Sequence, residues 1–173
     1  MSYLLAFLRI VVGLVFAVSF LGKLRNIDQF TQIITTFKIV PARWNHLTAL
    51  FFLIGELTVV IFIIVGQHLL SVAFGLAVLL LLVFTTALVF VLARNIQTSC
   101  NCFGENENLV SKHDIWRNVS LLACAAGGWI IDYIGQERGF LAWTEYVMLS
   151  ITAILFVAFI TNLKEFTNLF QTA

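Results

Sequence analysis

The stretch Leu69–Ala93 reads LLSVAFGLAVLLLLVFTTALVFVLA and contains no charged residue from its first position to its last. An α-helix needs about 20 mostly apolar residues to cross the hydrocarbon core of a bilayer, and this stretch is longer than that. The sequence therefore predicts a membrane-spanning helix here, and this helix decides the fold class.

The whole chain has the composition of a membrane protein. Of its 173 residues, 61% are hydrophobic and 11% are charged, and the mean hydropathy is +1.00. Soluble domains are about half apolar and about a quarter charged. A water-soluble globule is therefore excluded, and so is a disordered chain, which needs low hydrophobicity and high net charge. The formal net charge of +1 gives no indication of a nucleic-acid partner.

Four further stretches resemble the first in length and hydropathy. Together they predict a single membrane domain over residues 1–173 with five spans, at 4–22, 47–65, 69–93, 115–134 and 142–163. The fourth span is the weakest, so four spans plus a partly inserted segment is the alternative. We expect a compact all-α bundle of four to five transmembrane helices in the lipid bilayer.

The connection between the first two spans contains a helix of another kind. Apolar residues recur there every three or four positions, namely Ile27, Phe30, Ile33, Ile34 and Phe37. This spacing places them on one helix face and predicts a short amphipathic interfacial helix over 27–38. Pro41 ends it, because proline cannot continue a helical hydrogen-bond pattern.

Two charged residues stand inside predicted spans, Arg9 in the first and Glu56 in the second. A charge within a span is costly and usually faces the bundle interior with a partner. If the spans form an antiparallel pair joined at residues 22 and 47, Arg9 lies opposite roughly residue 60, about one turn from Glu56. We therefore expect an Arg9–Glu56 pair, either as a polar site or proton relay or as a structural link. Polar and small residues also share one face of the first span: Arg9, Gly13, Phe16, Ser19 and Lys23.

The fourth span is rich in small residues, with Gly127 and Gly128 four positions after Ala123 and Cys124. Small residues at this spacing let helix backbones approach closely. We therefore expect Cys124 to be a packing residue rather than a resolving thiol.

The polar connection 94–114 contains the sharpest motif, Cys100-Asn101-Cys102-Phe103-Gly104. Two thiols two residues apart can close a disulfide, and the tight ring should make that bond reducible. Gly104 permits a positive φ, and Phe103 could dock the loop onto the bundle. A metal site that includes His113 and a pair of unreactive loop cysteines are the alternatives. Structural zinc usually takes four ligands and no fourth is evident, so we predict no metal.

Basic residues are distributed unevenly between the two sides that five spans define. One side has Arg138, and the side of the C-x-C loop has eight: Lys23, Arg25, Lys38, Arg43, Arg94, Lys112, Arg117 and Lys164. The positive-inside rule therefore predicts a cytoplasmic C-x-C loop.

A series of motifs over about residues 5–160 carries a family resemblance. In order they are Arg9-x₃-Gly13-x₂-Phe16-x₂-Ser19-x₃-Lys23, Phe30, Pro41, Gly55-Glu56, Cys100-x-Cys102-Phe103-Gly104, Val110-Ser111 and Arg117-Asn118. This order resembles the methylamine utilisation protein MauE family, within the wider DoxX-like membrane proteins. One position departs from the pattern, because Phe52 and Leu53 stand where a proline is expected before the glutamate.

The resemblance implies a polytopic, redox-associated membrane protein that works with a thioredoxin-like partner on disulfides of exported proteins. That role implies an extracytoplasmic C-x-C loop, which conflicts with the distribution of basic residues. The implied site residues are the redox pair Cys100 and Cys102, the supporting loop residues Asn101, Phe103 and Gly104, and a buried polar set of Arg9, Lys23 and Glu56. A methylamine role is not carried over.

Three functions remain open at this point. The first is a component of thiol–disulfide exchange, which leaves open whether the protein is itself an enzyme. The second is a non-enzymatic assembly or anchoring subunit, bound through the small-residue face of the fourth span. The third, a small transporter with a path lined by Arg9 and Glu56, is disfavoured because the spans show no broken half-helices or inverted repeats. No residue identifies a cofactor, although grooves between spans could admit a quinone.

Overall fold

The computed structural model describes residues 2–37, 41–66, 69–94, 112–135 and 143–171, and these ranges contain helices and no strand. Within these ranges six α-helices follow one another: α1 over Ser2–Arg25, α2 over Ile27–Phe37, α3 over Asn45–Val65, α4 over Leu69–Ala93, α5 over Lys112–Ile134 and α6 over Trp143–Gln171. A short 3₁₀ turn over Ala42–Trp44 leads into α3. The predicted all-helical membrane fold is confirmed for these ranges.

Among the described residues, three helices are long and apolar enough to cross a membrane. They cover Tyr3–Arg25, Asn45–Val65 and Leu69–Ala93, with mean hydropathy values of 2.6, 2.6 and 2.9. In α6, the apolar part over Trp143–Phe159 is shorter. Large apolar side chains also cover the outside of the bundle, such as Phe51, which is 68% exposed, and Ile64, which is 73% exposed. Such a surface fits lipid, which solvates apolar side chains as well as a protein core does.

α4 packs between α3 and α5, while α1 packs against α3, α5 and α6. The fully buried side chains come mainly from these contacts, with Phe74 and Leu88 on α4 and Val59 on α3. Ala125 of α5 is also fully buried and belongs to the same core cluster. This packing brings one face of each of four helices together in the interior.

α2 closes one end of the bundle. Its apolar face buries Phe30 and Ile34 against Ala49 of α3, and Ile33 against Val91 of α4. The helix therefore occupies the position where the three- and four-residue spacing predicts one, and residue 38 lies outside the described residues. Because α2 starts after a single residue, Asn26, it is folded between α1 and α3 and sets their relative register.

A tight turn at Gly66 joins α3 to α4. The Gly66 N–H donates to the Phe62 carbonyl at 2.9 Å, and the residue has φ +66° and ψ −145°. Only glycine adopts this region without strain. Leu69 then donates its backbone N–H to the Gly66 carbonyl at 3.2 Å, so α4 begins directly after the turn.

Candidate polar site inside the helical bundle

An ion pair lies in the interior of the bundle, between α1 and α3. The Lys23 ammonium donates to Glu56 Oε1, and the two residues are only 3% and 5% exposed. Ser19 Oγ donates to the same carboxylate oxygen at 3.0 Å. Ser19 and Lys23 can share this acceptor because residues four apart lie on the same helix face. Ser19 and Lys23, two members of the predicted stripe on the first span, thus face the one acidic residue of α3.

Aromatic rings surround the ammonium of this pair. Lys23 Nζ lies 5.0 Å from the ring centroid of Phe30 on α2 and 5.4 Å from that of Phe84 on α4. A cation within about 6 Å of a ring centroid is attracted by the ring quadrupole. The rings therefore replace part of the hydration that Lys23 loses on burial.

A fourth polar side chain reaches the same place from α5. Asn118 is 3% exposed and, with Ser19, Lys23 and Glu56, lines a cavity of ≈ 30 Å³. The remaining lining is apolar and comes from α1, α3, α4 and α5. Five helices therefore contribute to one polar site, since α2 supplies Phe30.

The expected pairing of Arg9 with Glu56 is wrong. Arg9 is only partly buried and donates from Nε to the Ile63 carbonyl at 2.9 Å and from Nη2 to the Ile64 carbonyl at 3.1 Å. These carbonyls belong to the last turn of α3, where helical hydrogen bonding leaves them free and the helix dipole favours a cation. Arg9 therefore stabilises the C-terminus of α3 and is not part of the buried polar set, of which Lys23 and Glu56 remain.

The register of α1 against α3 explains the error. Gly13 lies against Ile63, where a Cβ would come within 3.1 Å of the isoleucine side chain, and Ser19 lies against Glu56. The prediction assumed a hairpin closed at residues 22 and 47. With α2 and the 3₁₀ turn folded between the two helices, Glu56 faces the second half of α1 instead.

Sequence reasoning missed two contributors to the site. Asn118 entered only as part of the Arg117-Asn118 motif, although a lone amide within a predicted span is costly and is itself a signal of an interior contact. Nothing in the sequence distinguishes Phe84 as a contact of the polar site, because it is one of 17 phenylalanines in an apolar chain. Its contact with Lys23 depends on how α4 packs against α1.

The predicted loop residues lie outside the described residues: Cys100, Asn101, Cys102, Phe103 and Gly104. Their roles therefore stay predictions. Cys124 on α5 is half-buried and carries a free thiol, and its role as a packing residue stays a prediction. In the five ranges that the structure describes, no group of three His, Cys, Asp or Glu side chains could hold a metal ion.

The site offers ionic and hydrogen-bonding groups rather than a nucleophile. Glu56 supplies a carboxylate, Lys23 an ammonium, and Asn118 an amide, all in an apolar setting where such interactions are stronger than in water. These groups can orient a small polar molecule or hold helices in one register. They do not by themselves move electrons.

The helices and the enclosed ion pair define the class of this protein, a multi-pass helical membrane protein with a polar site inside its bundle. The chain belongs to the methylamine utilisation protein MauE family, whose model matches residues 1–131. It is 32% identical over 120 residues to methylamine utilization protein MauE of Paracoccus denitrificans, a match that covers 68% of this chain and 64% of that protein. The match thus spans less than two thirds of that relative. No solved structure matches the chain.

The family match confirms the resemblance drawn from the motifs. It includes the Lys23–Glu56 pair, the C-x-C-F-G motif and Asn118, and it ends within α5. The residues of α6 lie beyond it.

Proposed function

We propose that this protein is a component of membrane thiol–disulfide exchange that acts through Cys100 and Cys102 on a thioredoxin-like partner. One observation carries the proposal. The C-x-C-F-G motif stands in the connection between α4 and α5, and each of these helices contributes a side chain, Phe84 and Asn118, to the buried polar site. The predicted redox pair is therefore flanked in the sequence by two helices that each contribute a side chain to the polar site.

The exchange transfers two electrons in two steps. The thiolate of one loop cysteine attacks a sulfur of the partner disulfide, forms a mixed disulfide and releases one partner thiolate. The second loop cysteine then attacks the mixed disulfide and releases the other partner thiolate. At the end Cys100 and Cys102 share a disulfide and the partner is a dithiol, so the electrons come from the loop pair.

We also propose that the bundle has four to five transmembrane spans. α5 packs against both α4 and α1, and α6 packs against α1, so both lie alongside helices that are long and apolar enough to cross. Ile130, which is 57% exposed, and Leu155, which is 65% exposed, add apolar surface on α5 and α6. Both helices then lie in the bilayer with the first three.

Exchange can be tested with purified protein in phospholipid nanodiscs. The reduced protein is mixed with oxidised thioredoxin as the probe, quenched with acid, and alkylated so that each free thiol adds a fixed mass. We expect two thiols to appear on the probe and two to disappear from the protein. Cys100→Ser and Cys102→Ser should each stop the reaction, and one of them should accumulate the mixed disulfide.

Cys124→Ser is the matched control, because it removes the third cysteine of the chain without touching the C-x-C motif. It should exchange at the wild-type rate. If Cys100→Ser/Cys102→Ser exchanges as fast as wild type, the proposal is wrong. Co-purification with a partner that survives this double substitution would then favour the assembly or anchoring subunit.

A further inference from the structure

Two buried atoms of the polar site are left without a hydrogen bond. Glu56 Oε1 accepts from both Lys23 and Ser19, but among the described residues Glu56 Oε2 and Asn118 Nδ2 have no partner. Both side chains are more than nine-tenths buried. Leaving a buried polar atom unsatisfied carries its full desolvation penalty, which is larger for a charged group. One atom needs a donor and the other needs an acceptor.

Both residues line the same small cavity, so one ligand can serve both atoms. The volume of the cavity, ≈ 30 Å³, limits the size of that ligand, because a cavity needs about 10–15 Å³ to hold one water molecule. The space therefore fits one or two waters. It is far too small for a quinone ring, a lipid headgroup or a peptide side chain of any length.

The charges around the cavity also select a neutral ligand. Lys23 faces it from α1 and Glu56 from α3, while α4 contributes Leu80, Leu81 and Phe84. No other charged side chain of the described residues lines it. A cation would meet the Lys23 ammonium and the amide N–H groups, and an anion would meet the carboxylate, so neither is favoured. Water is neutral and both donates and accepts.

We propose that this cavity is a water-binding site, in which one or two water molecules donate to Glu56 Oε2 and accept from Asn118 Nδ2. The bound water satisfies the second carboxylate oxygen of Glu56. It also connects α3 to α5, two helices that both pack against α1 and α4. The proposal does not depend on thiol–disulfide exchange.

The site can be tested by NMR on the full chain in phospholipid nanodiscs with ¹⁵N-labelled asparagine side chains. Cross-relaxation from water protons to the Asn118 side-chain amide is the measured signal, and Asn118→Leu assigns the resonance by removing it. We expect a water cross-peak at the Asn118 side-chain amide in the wild-type protein.

A second measurement, the chemical shift of the Glu56 carboxyl carbon, tells the carboxylate from the protonated acid. With ¹³C-labelled glutamate and Glu56→Gln for assignment, we expect the Glu56 carboxyl carbon at the shift of an ionised carboxylate. A missing water cross-peak at Asn118, or a carboxyl shift typical of the protonated acid, would overturn the proposal, because Oε2 would then carry its own proton. Neither outcome bears on the exchange assay, so the two proposals fail separately.

Discussion

At the residue scale, the bundle holds a full positive and a full negative charge in its interior by enclosing them together. Removing an ion from water costs several kcal/mol even after the protein relaxes, and the mutual attraction of a pair offsets this only with good geometry. Here Glu56 Oε1 accepts from Lys23 and Ser19, and the rings of Phe30 and Phe84 face the ammonium. Each member of the pair alone would be a buried charge without its countercharge.

We therefore expect Glu56→Leu or Lys23→Met to lower the free energy of unfolding by about 3–5 kcal/mol, because each leaves the other charge unpaired. The double variant Lys23→Met/Glu56→Leu should lose much less than the sum of the two. Ser19→Ala should cost about 1.5 kcal/mol, because it removes one hydrogen bond to a charged group and leaves the ion pair in place. Unfolding of the purified protein in mixed micelles measures all four, and additive losses would show that the two charges do not interact.

A second prediction at the residue scale concerns the effect of a side chain at Gly66 on stability. A Cβ there would lie 2.7 Å from Arg9 Nη2, and the backbone has φ +66°. Gly66→Ala should therefore lower the free energy of unfolding by about 1–3 kcal/mol through backbone strain, and by more if Arg9 is displaced from the α3 carbonyls. At Gly75 a Cβ would lie 3.7 Å from Trp129 Cζ2, an ordinary van der Waals distance. Gly75→Ala should therefore leave the free energy of unfolding undiminished in the same measurement. Equal effects of the two substitutions would contradict this account.

At the scale of elements, the most extensive contact among the described helices is that of α5 with α4. A Cβ on Gly128 would come within 2.5 Å of Phe74 Cε1, and Phe74 is fully buried, so its ring has little room to move. On the neighbouring Gly127, a Cβ would meet only Leu8 Cδ1 at 3.8 Å. The two glycines therefore have different roles, although both belong to the same small-residue pattern.

Gly128→Ala should destabilise the protein by about 1–3 kcal/mol, the usual cost of overpacking a core. Gly127→Ala should be neutral or stabilising by up to about 1 kcal/mol, since alanine is the better helix former. Phe74→Leu in the Gly128→Ala background should restore part of the loss by making room. Thermal unfolding of the wild type and the three variants tests these expectations. A larger loss of stability from Gly127→Ala than from Gly128→Ala would refute this α4–α5 packing.

The elements also show what the sequence could predict and what it could not. Hydropathy and helical spacing are local, so they located the helices, including α2 over Ile27–Phe37. The partner of Glu56 is not local, because it depends on how α2 and the 3₁₀ turn set the register of α3 against α1. Asn118 and Phe84 depend in turn on the packing of α5 and α4. The residues that carry charge were thus predictable, and their pairing was not.

At the scale of the whole molecule, the structure changes which basic residues count toward the orientation of the protein in the membrane. Lys23 is buried against Glu56, so it does not act as a loop charge at the membrane surface. Seven of the eight basic residues then remain on the side of the C-x-C loop, against Arg138 on the other. The bias keeps its direction, and it still opposes the extracytoplasmic loop that the family resemblance implies.

Thiol labelling with a membrane-impermeant maleimide tests this orientation, in intact and in opened cells and with prior reduction in both. Because lysine and arginine are retained on the cytoplasmic side, we expect Cys100 and Cys102 to label only after the cells are opened. A Gln67→Cys reporter in a chain without the three native cysteines should label from outside, since the α3–α4 turn lies on the other side. The reverse pattern would place the redox pair outside, where exported disulfides are handled. The cytoplasmic result instead makes Cys100 and Cys102 reactants for a cytoplasmic thioredoxin-like protein, so the side of the loop determines which pool of disulfides the proposed exchange can reach.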